Sequence, residues 1–251
     1  MPLQRGSPIS KPDLRAFDLP PPFRSVVLRE VGDAFAHARA HAGELGAGTL
    51  VFVGRFDLAE FAVVLEPDEP LGAARRVFYV AMNALADALA ALAPPEKPIV
   101  IAWPDAVLVD RGLIGGGRLA WPDGAKEDAI PDWLVFGAAI RTVSMSGEAG
   151  LHPLATALED EGFSDVRSER LAEGFARHLM TAIDHWQEDG FAVIAREYQS
   201  KLESRQGTLA NIDESGDLLV HRSGGPVKCR KLRRALKAPS WLDPKTGGPR
   251  L

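Results

Sequence analysis

The chain has 251 residues, 46% hydrophobic and 25% charged, a globular mix that excludes intrinsic disorder or a fibrous repeat for its bulk. With 24 glycines and 19 prolines it is rich in loops. A net charge of -5 argues against nucleic acid or anionic lipid as the main partner, and the single Cys229 fits a reducing, cytoplasmic setting without an internal disulfide.

Residues 1–24 read as an extended arm, because Pro2, Pro8, Pro12 and the run Pro20-Pro21-Pro22 fix φ and bias each preceding residue away from helix. The arm has no apolar run of the kind a secretory leader carries. A first strand is predicted over 26–31 and an Ala-rich helix over 33–45, ended by Gly46 and Gly48. Val- and Phe-rich runs at 49–53 and 61–65 read as buried strands. Apolar residues at helical spacing predict one long helix over 71–92, stopped by Pro94-Pro95. Its apolar stretch contains Asn83 and Asp87 and is too short and too polar to span a bilayer.

Strand patterns return at 99–103, 107–109, 113–121 and 133–140, and helical periodicity at 154–158, 168–183 and 191–202. Two short strands, 207–212 and 217–220, flank the turn Asp213-Glu214-Ser215-Gly216. The order predicts an α+β fold: a mixed sheet with helices packed on one face, plus a small β-rich C-terminal domain. The expected division is an arm at 1–24, a main domain at 25–203 and a C-terminal domain with a basic tail at 204–251. That last stretch is too small to stand alone and is expected to lean on the main domain. Its run 228–237 holds six positive and no negative charges and is read as a solvated basic face.

His37 and His41, four apart on one helix, lack the Glu of a zinc-protease helix, and His178 and His185 have no better claim, so no metal site is assigned. The informative segment runs from Ala102 to Gly117. A Trp103-Pro104 corner leads into a short strand, a turn, and a strand interrupted by Gly115, Gly116 and Gly117. Glycine inside a strand marks a crowded crossing, a bulge, or a place where a ligand approaches the backbone.

This segment resembles the biotin and lipoate protein ligases, whose biotin branch carries K-W-P-N-D and then K-[IL]-[AG]-G. Other stretches follow in step. Residues 27–36 resemble the family's first strand and S-T-N-x-x-A helix start, 47–52 its p-G-t-v-v-v strand, and 61–67 its l-y-x-S-l-x-L-r-P. Residues 134–141 are similar to v-v-x-G-I-G-I-N, His185-Trp186 with Gly190-Phe191 to W-x-x-x-G-F, and 207–220 to the strands of the small C-terminal domain. The resemblance implies a class II biotin ligase-like fold, ATP with biotin or lipoate as cofactors, and transfer of an acyl group to a lysine of a biotinyl- or lipoyl-type acceptor domain.

The departures fall on the chemistry. Adenylation needs cationic donors around a developing pentacovalent phosphate. The family lysine of K-[IL]-[AG]-G is Leu113 here; the Lys, Asn and Asp of the first motif correspond to Ala102, Asp105 and Ala106; and the Asn of G-I-G-I-N is Arg141. Of the Gly- and Arg-rich loop only Gly54 and Arg55 remain. These losses argue against ATP-dependent ligation. Either the fold keeps a pocket without adenylation, or substitute cations serve it.

Arg111, two residues from Leu113, shares its side if the strand extends that far. With Arg55 and Arg141 it would orient anionic groups. Asp105 is the acid candidate, and Trp103 with Gly115, Gly116 and Gly117 would line the pocket. The leading expectation is a ligase-like protein that binds a small carboxylic acid or acyl group and transfers it to a protein lysine. The alternative is a non-catalytic interaction protein on the same fold. Homodimerisation through a sheet edge stays open.

Overall fold

The structure is a computed structural model and describes residues 17–30, 32–144, 154–164, 167–204 and 206–251. Seven strands build the main sheet: β1 (Arg24–Leu28), β2 (Thr49–Gly54), β3 (Leu58–Leu65), β4 (Ile99–Ala102), β5 (Ala106–Val109), β6 (Gly112–Ala120) and β7 (Leu134–Arg141). Their spatial order is β1-β2-β3-β7-β6-β5-β4. Only β1 and β2 pair in parallel, joined by helix α1 (Ala34–Leu45), and every other neighbour is antiparallel.

Alternation along the strands sorts side chains to two faces. Leu50, Phe52, Phe61, Val63, Phe136 and Ile140 enter the main core with α3 (Val77–Ala90), α4 (Ser168–Asp189) and α5 (Phe191–Ser200). Helix α3 is buried around nearly its whole girth, from Val77 to Leu89, because it lies between the sheet and the other two helices. The opposite face, Val51, Val53, Ala62, Val64 and Val135, is covered by Ala34, Ala38 and Ala42 of α1. Alanine at these positions lets the helix approach the sheet closely. Asp33 caps it, its carboxylate accepting from the Ala36 N–H at 2.8 Å.

The mixed α+β arrangement expected from the sequence is present, with three long helices sharing one face and α1 adding cover to the other. Two predicted elements differ. The single helix expected over 71–92 breaks into α2 (Leu71–Ala74) and α3, because Arg75 turns to Glu127 at 2.7 Å and stacks on Trp121. The helix expected over 154–158 is extended chain: Leu113 donates to the Leu154 carbonyl at 2.9 Å and accepts from Thr156 at 3.0 Å.

A three-stranded antiparallel sheet follows, β8 (Thr208–Ile212), β9 (Leu218–Arg222) and β10 (Lys228–Arg230), then the short α6 (Leu232–Ala235). Ile212, Leu218 and Leu232 enter the main core, and Tyr79 donates its hydroxyl to the Gly216 carbonyl at 2.6 Å. Within the basic run, Lys231 pairs with Asp217, Arg233 with Glu127, and Arg230 stacks on Trp103. Among the described residues no helix is long and apolar enough to cross a membrane.

Candidate functional site

The α1 face of the sheet is only partly covered by α1. Toward the start of β3 and the end of β7, Leu58, Ala106 and Ala139 form a second apolar patch, and Leu113 packs against it. The indole of Trp241, fully buried, fills this patch with Leu242 beside it. Its Nε1 donates to the Gly117 carbonyl at 2.9 Å. The C-terminal residues therefore complete a face that the seven-stranded sheet and α1 leave open.

Asp105 follows the cis Trp103-Pro104 bond and is 1% exposed. Its carboxylate accepts from the Ser240 N–H at 2.9 Å and the Ser240 hydroxyl at 2.5 Å. Burial pushes the carboxyl up to about 6, although both hydrogen bonds and the Arg250 charge pull it down. The group thus titrates close to neutrality beside the apolar patch.

The three glycines serve three neighbours. A Cβ on Gly115, whose φ is +149°, would lie 1.9 Å from the Ala139 carbonyl oxygen, so this residue permits the crossing with β7 where the β5 register shifts. Gly117 faces Met82 and Phe136 in the helix-side core, and only its carbonyl reaches the patch. Gly116 lies directly under Trp241, 2.4 Å from the indole Cδ1 to an added Cβ.

The predicted cations do not converge. Strand β6 begins at Gly112, and Asp110 and Arg111, with φ of 46° and 71°, form the tight turn before it, so the exposed Arg111 does not share a strand face with Leu113. Arg55 is held by Asp57 through two contacts of 3.3 Å and lies 3.9 Å from Glu60; the Asp57 hydrogen bonds raise its pKa. Arg141 donates to the carbonyls of Thr156, Pro249 and Arg250 at 3.3, 2.8 and 3.2 Å, and burial lowers its pKa. Trp103 points the other way, donating to the Tyr79 hydroxyl at 3.0 Å.

Residues with no part in the sequence reading complete the site. Ser240 and Trp241 gave no local signal. Glu60, 5% exposed, is the lone acid in the otherwise apolar β3, a signal that was available. It accepts the Ala34 N–H at 2.8 Å at the start of α1, and burial raises its pKa. Arg118 bonds Asp33 at 3.1 Å and lies 4.2 Å over the Phe35 ring.

These residues do not fit a nucleoside triphosphate. Leu113 sits in an apolar patch, the nearby acids Asp57 and Glu60 are repulsive, and Arg55 and Arg118 are already paired with Asp57 and Asp33. A separate cavity of about 640 Å³ lies at the opposite end of β3 and β7, lined by Leu65, Leu134, Met180, Trp186 and Phe191 among others. It contains none of the predicted site residues.

Comparison with known proteins bears on this geometry. The model of the biotin/lipoate A/B protein ligase family matches residues 19–200. A biotin protein ligase-like protein of unknown function from Silicibacter sp. TM1040 has a similar crystal structure, with 29% identity over 88% of this chain and 99% of that one and a TM-score of 0.76. The biotin protein ligase of Aquifex aeolicus superposes with a TM-score of 0.67 at 17% identity, over 83% of this chain and 95% of that one. The Aquifex enzyme in complex with biotin and ATP gives 0.63 at 16% identity, over 82% and 94%. Among curated proteins none matches.

Proposed function

The chain belongs to the biotin/lipoate A/B protein ligase family, and on that footing we propose that it binds a small carboxylic acid or acyl group on the β6 and β7 face without adenylating it. The observation that carries the reading is the seat of Trp241. The patch of Leu58, Ala106, Ala139 and Leu113 accepts a flat apolar body, the Gly117 carbonyl accepts an N–H, and Asp105 and Arg141 offer polar contacts at the rim. An acid or acyl group with an apolar ring or chain has the same character.

Without a cationic cradle, transfer to a protein lysine would draw on an acyl donor already activated, such as a thioester. The lysine Nζ attacks the acyl carbonyl, the amide bond forms, the C–S bond breaks, and the thiol leaves with the amine proton. We assign that proton to Asp105, whose carboxyl is raised to about 6 by burial beside the apolar patch. A second reading, a non-catalytic platform, is favoured by the complete burial of Trp241 in the same place.

Thermal shift and calorimetry with biotin, lipoate, octanoate, their coenzyme A thioesters and ATP separate the readings, on the full chain and on its Trp241→Ala variant. At least one acid or thioester is expected to raise the melting temperature of one of these proteins, with no ATP–pyrophosphate exchange. Exchange activity would refute the loss of adenylation. No binding to either protein, both folding cooperatively, would leave the platform reading.

A further inference from the structure

We infer that residues 240–250 are an intramolecular occupant of the ligand face, a segment that must withdraw before a ligand enters. The inference rests on the reading above that this face binds a ligand. Three polar groups at the rim are matched by this segment. Asp105 accepts from Ser240, the Gly117 carbonyl accepts from Trp241, and Arg141 donates to Pro249 and Arg250. The apolar patch is filled by Trp241, so ligand and segment compete for the same contacts.

The segment is also built to move as one piece. Its own hydrogen bonds close it into a loop: Asp243 donates to Gly248 at 2.9 Å, Gly247 to Asp243 at 2.9 Å, and Arg250 to Trp241 at 2.8 Å, with Leu242 and Pro249 bridged. Its attachment to the face is the Trp241 indole with Leu242 beside it, Ser240, and the carbonyls that Pro249 and Arg250 offer to Arg141. It joins α6 through the exposed Lys237 and Ala238, beyond the buried Leu236, so its departure leaves the small sheet and α6 in place. Binding through a site that is open only part of the time weakens apparent affinity by the open fraction, and removing the occupant restores it.

The test uses the full chain as wild type, Ser240→Ala and Trp241→Ala, titrated with lipoate, octanoate and biotin, with amide hydrogen exchange read by mass spectrometry. Trp241→Ala is expected to bind the accepted acid at least about tenfold more tightly than wild type, with Ser240→Ala between them. In the wild type, saturating acid is expected to speed exchange of the amides of 241–250. Should Trp241→Ala not fold, Ser240→Ala and the exchange experiment decide. Equal affinities, or unchanged exchange of 241–250 with acid bound, would overturn the occupant while leaving the ligand reading intact. No acid bound by any folded protein overturns that reading, and the occupant falls with it.

Discussion

Replacing Asp105 by Asn tests the electrostatics of the site most directly. The carboxyl lies at about 6 in the folded chain against 3.8 for an unperturbed group. Because the folded value is the higher, the folded chain holds this proton more tightly than the unfolded chain; the stabilisation is full at low pH and is lost as pH rises through about 6. At neutral pH the native state therefore carries a buried carboxylate that Asn would not. The Asn carbonyl still accepts the Ser240 N–H, and its amide donates to the Ser240 hydroxyl, so packing and both contacts survive. Linkage between these two values gives a stability advantage of Asp105→Asn over wild type that grows by about 2 kcal/mol from about pH 4.5 to about pH 7.5. For a chain of this size that is about 4–8 °C in melting temperature. Urea or thermal unfolding of both proteins across that range measures the gap. Parallel stability curves would refute the assignment of a buried, late-titrating acid to this position.

Gly116→Ala is expected to cost about 3 kcal/mol or more in urea unfolding, since its Cβ would meet the Asp105 carbonyl oxygen at 2.0 Å. Gly124→Ala, with φ of +79° but no atom within 4 Å, is expected to cost about 1 kcal/mol. Glu60→Ala orphans the Ala34 amide at the start of α1 and is expected to lose about 1–3 kcal/mol, whereas Glu60→Gln keeps an acceptor and should retain most of it at pH 7. Tyr198→Phe removes the 2.5 Å bond from a fully buried hydroxyl to the Pro104 carbonyl, for an expected loss of about 1–3 kcal/mol by the same measurement.

The buried strands were legible because continuous runs such as Leu50 to Val53 leave no polar side chain for solvent. The helix break at Arg75 and Arg76 was not, because the apolar spacing continues across it while its cause, Glu127 with Trp121, lies about fifty residues away in the chain. The run 154–158 failed for a related reason: its backbone bonds to Leu113 replace those a helix would have made internally. At the site, Asp105 and the glycine run were readable as unusual residues in a strand context. Their neighbours were not, because Trp241 meets Gly117 across a separation of 124 residues that no local pattern records. Arg111 shows the sensitivity of a two-residue period to boundaries: the strand reaches back only to Gly112, so the extension that would have set the arginine beside Leu113 is a turn instead.

The outer strands of the main sheet differ in a way that bears on assembly. On β4, both backbone groups of Ile101 are already used, the N–H by the Lys201 carbonyl at 2.7 Å and the carbonyl by the Glu203 N–H at 2.9 Å. The chain leaving α5 thus occupies that margin at Ile101. At the other margin, no described strand lies outside β1. The two margins are therefore unequal: any strand added by backbone pairing at β4 would first have to strip away residues 201–203.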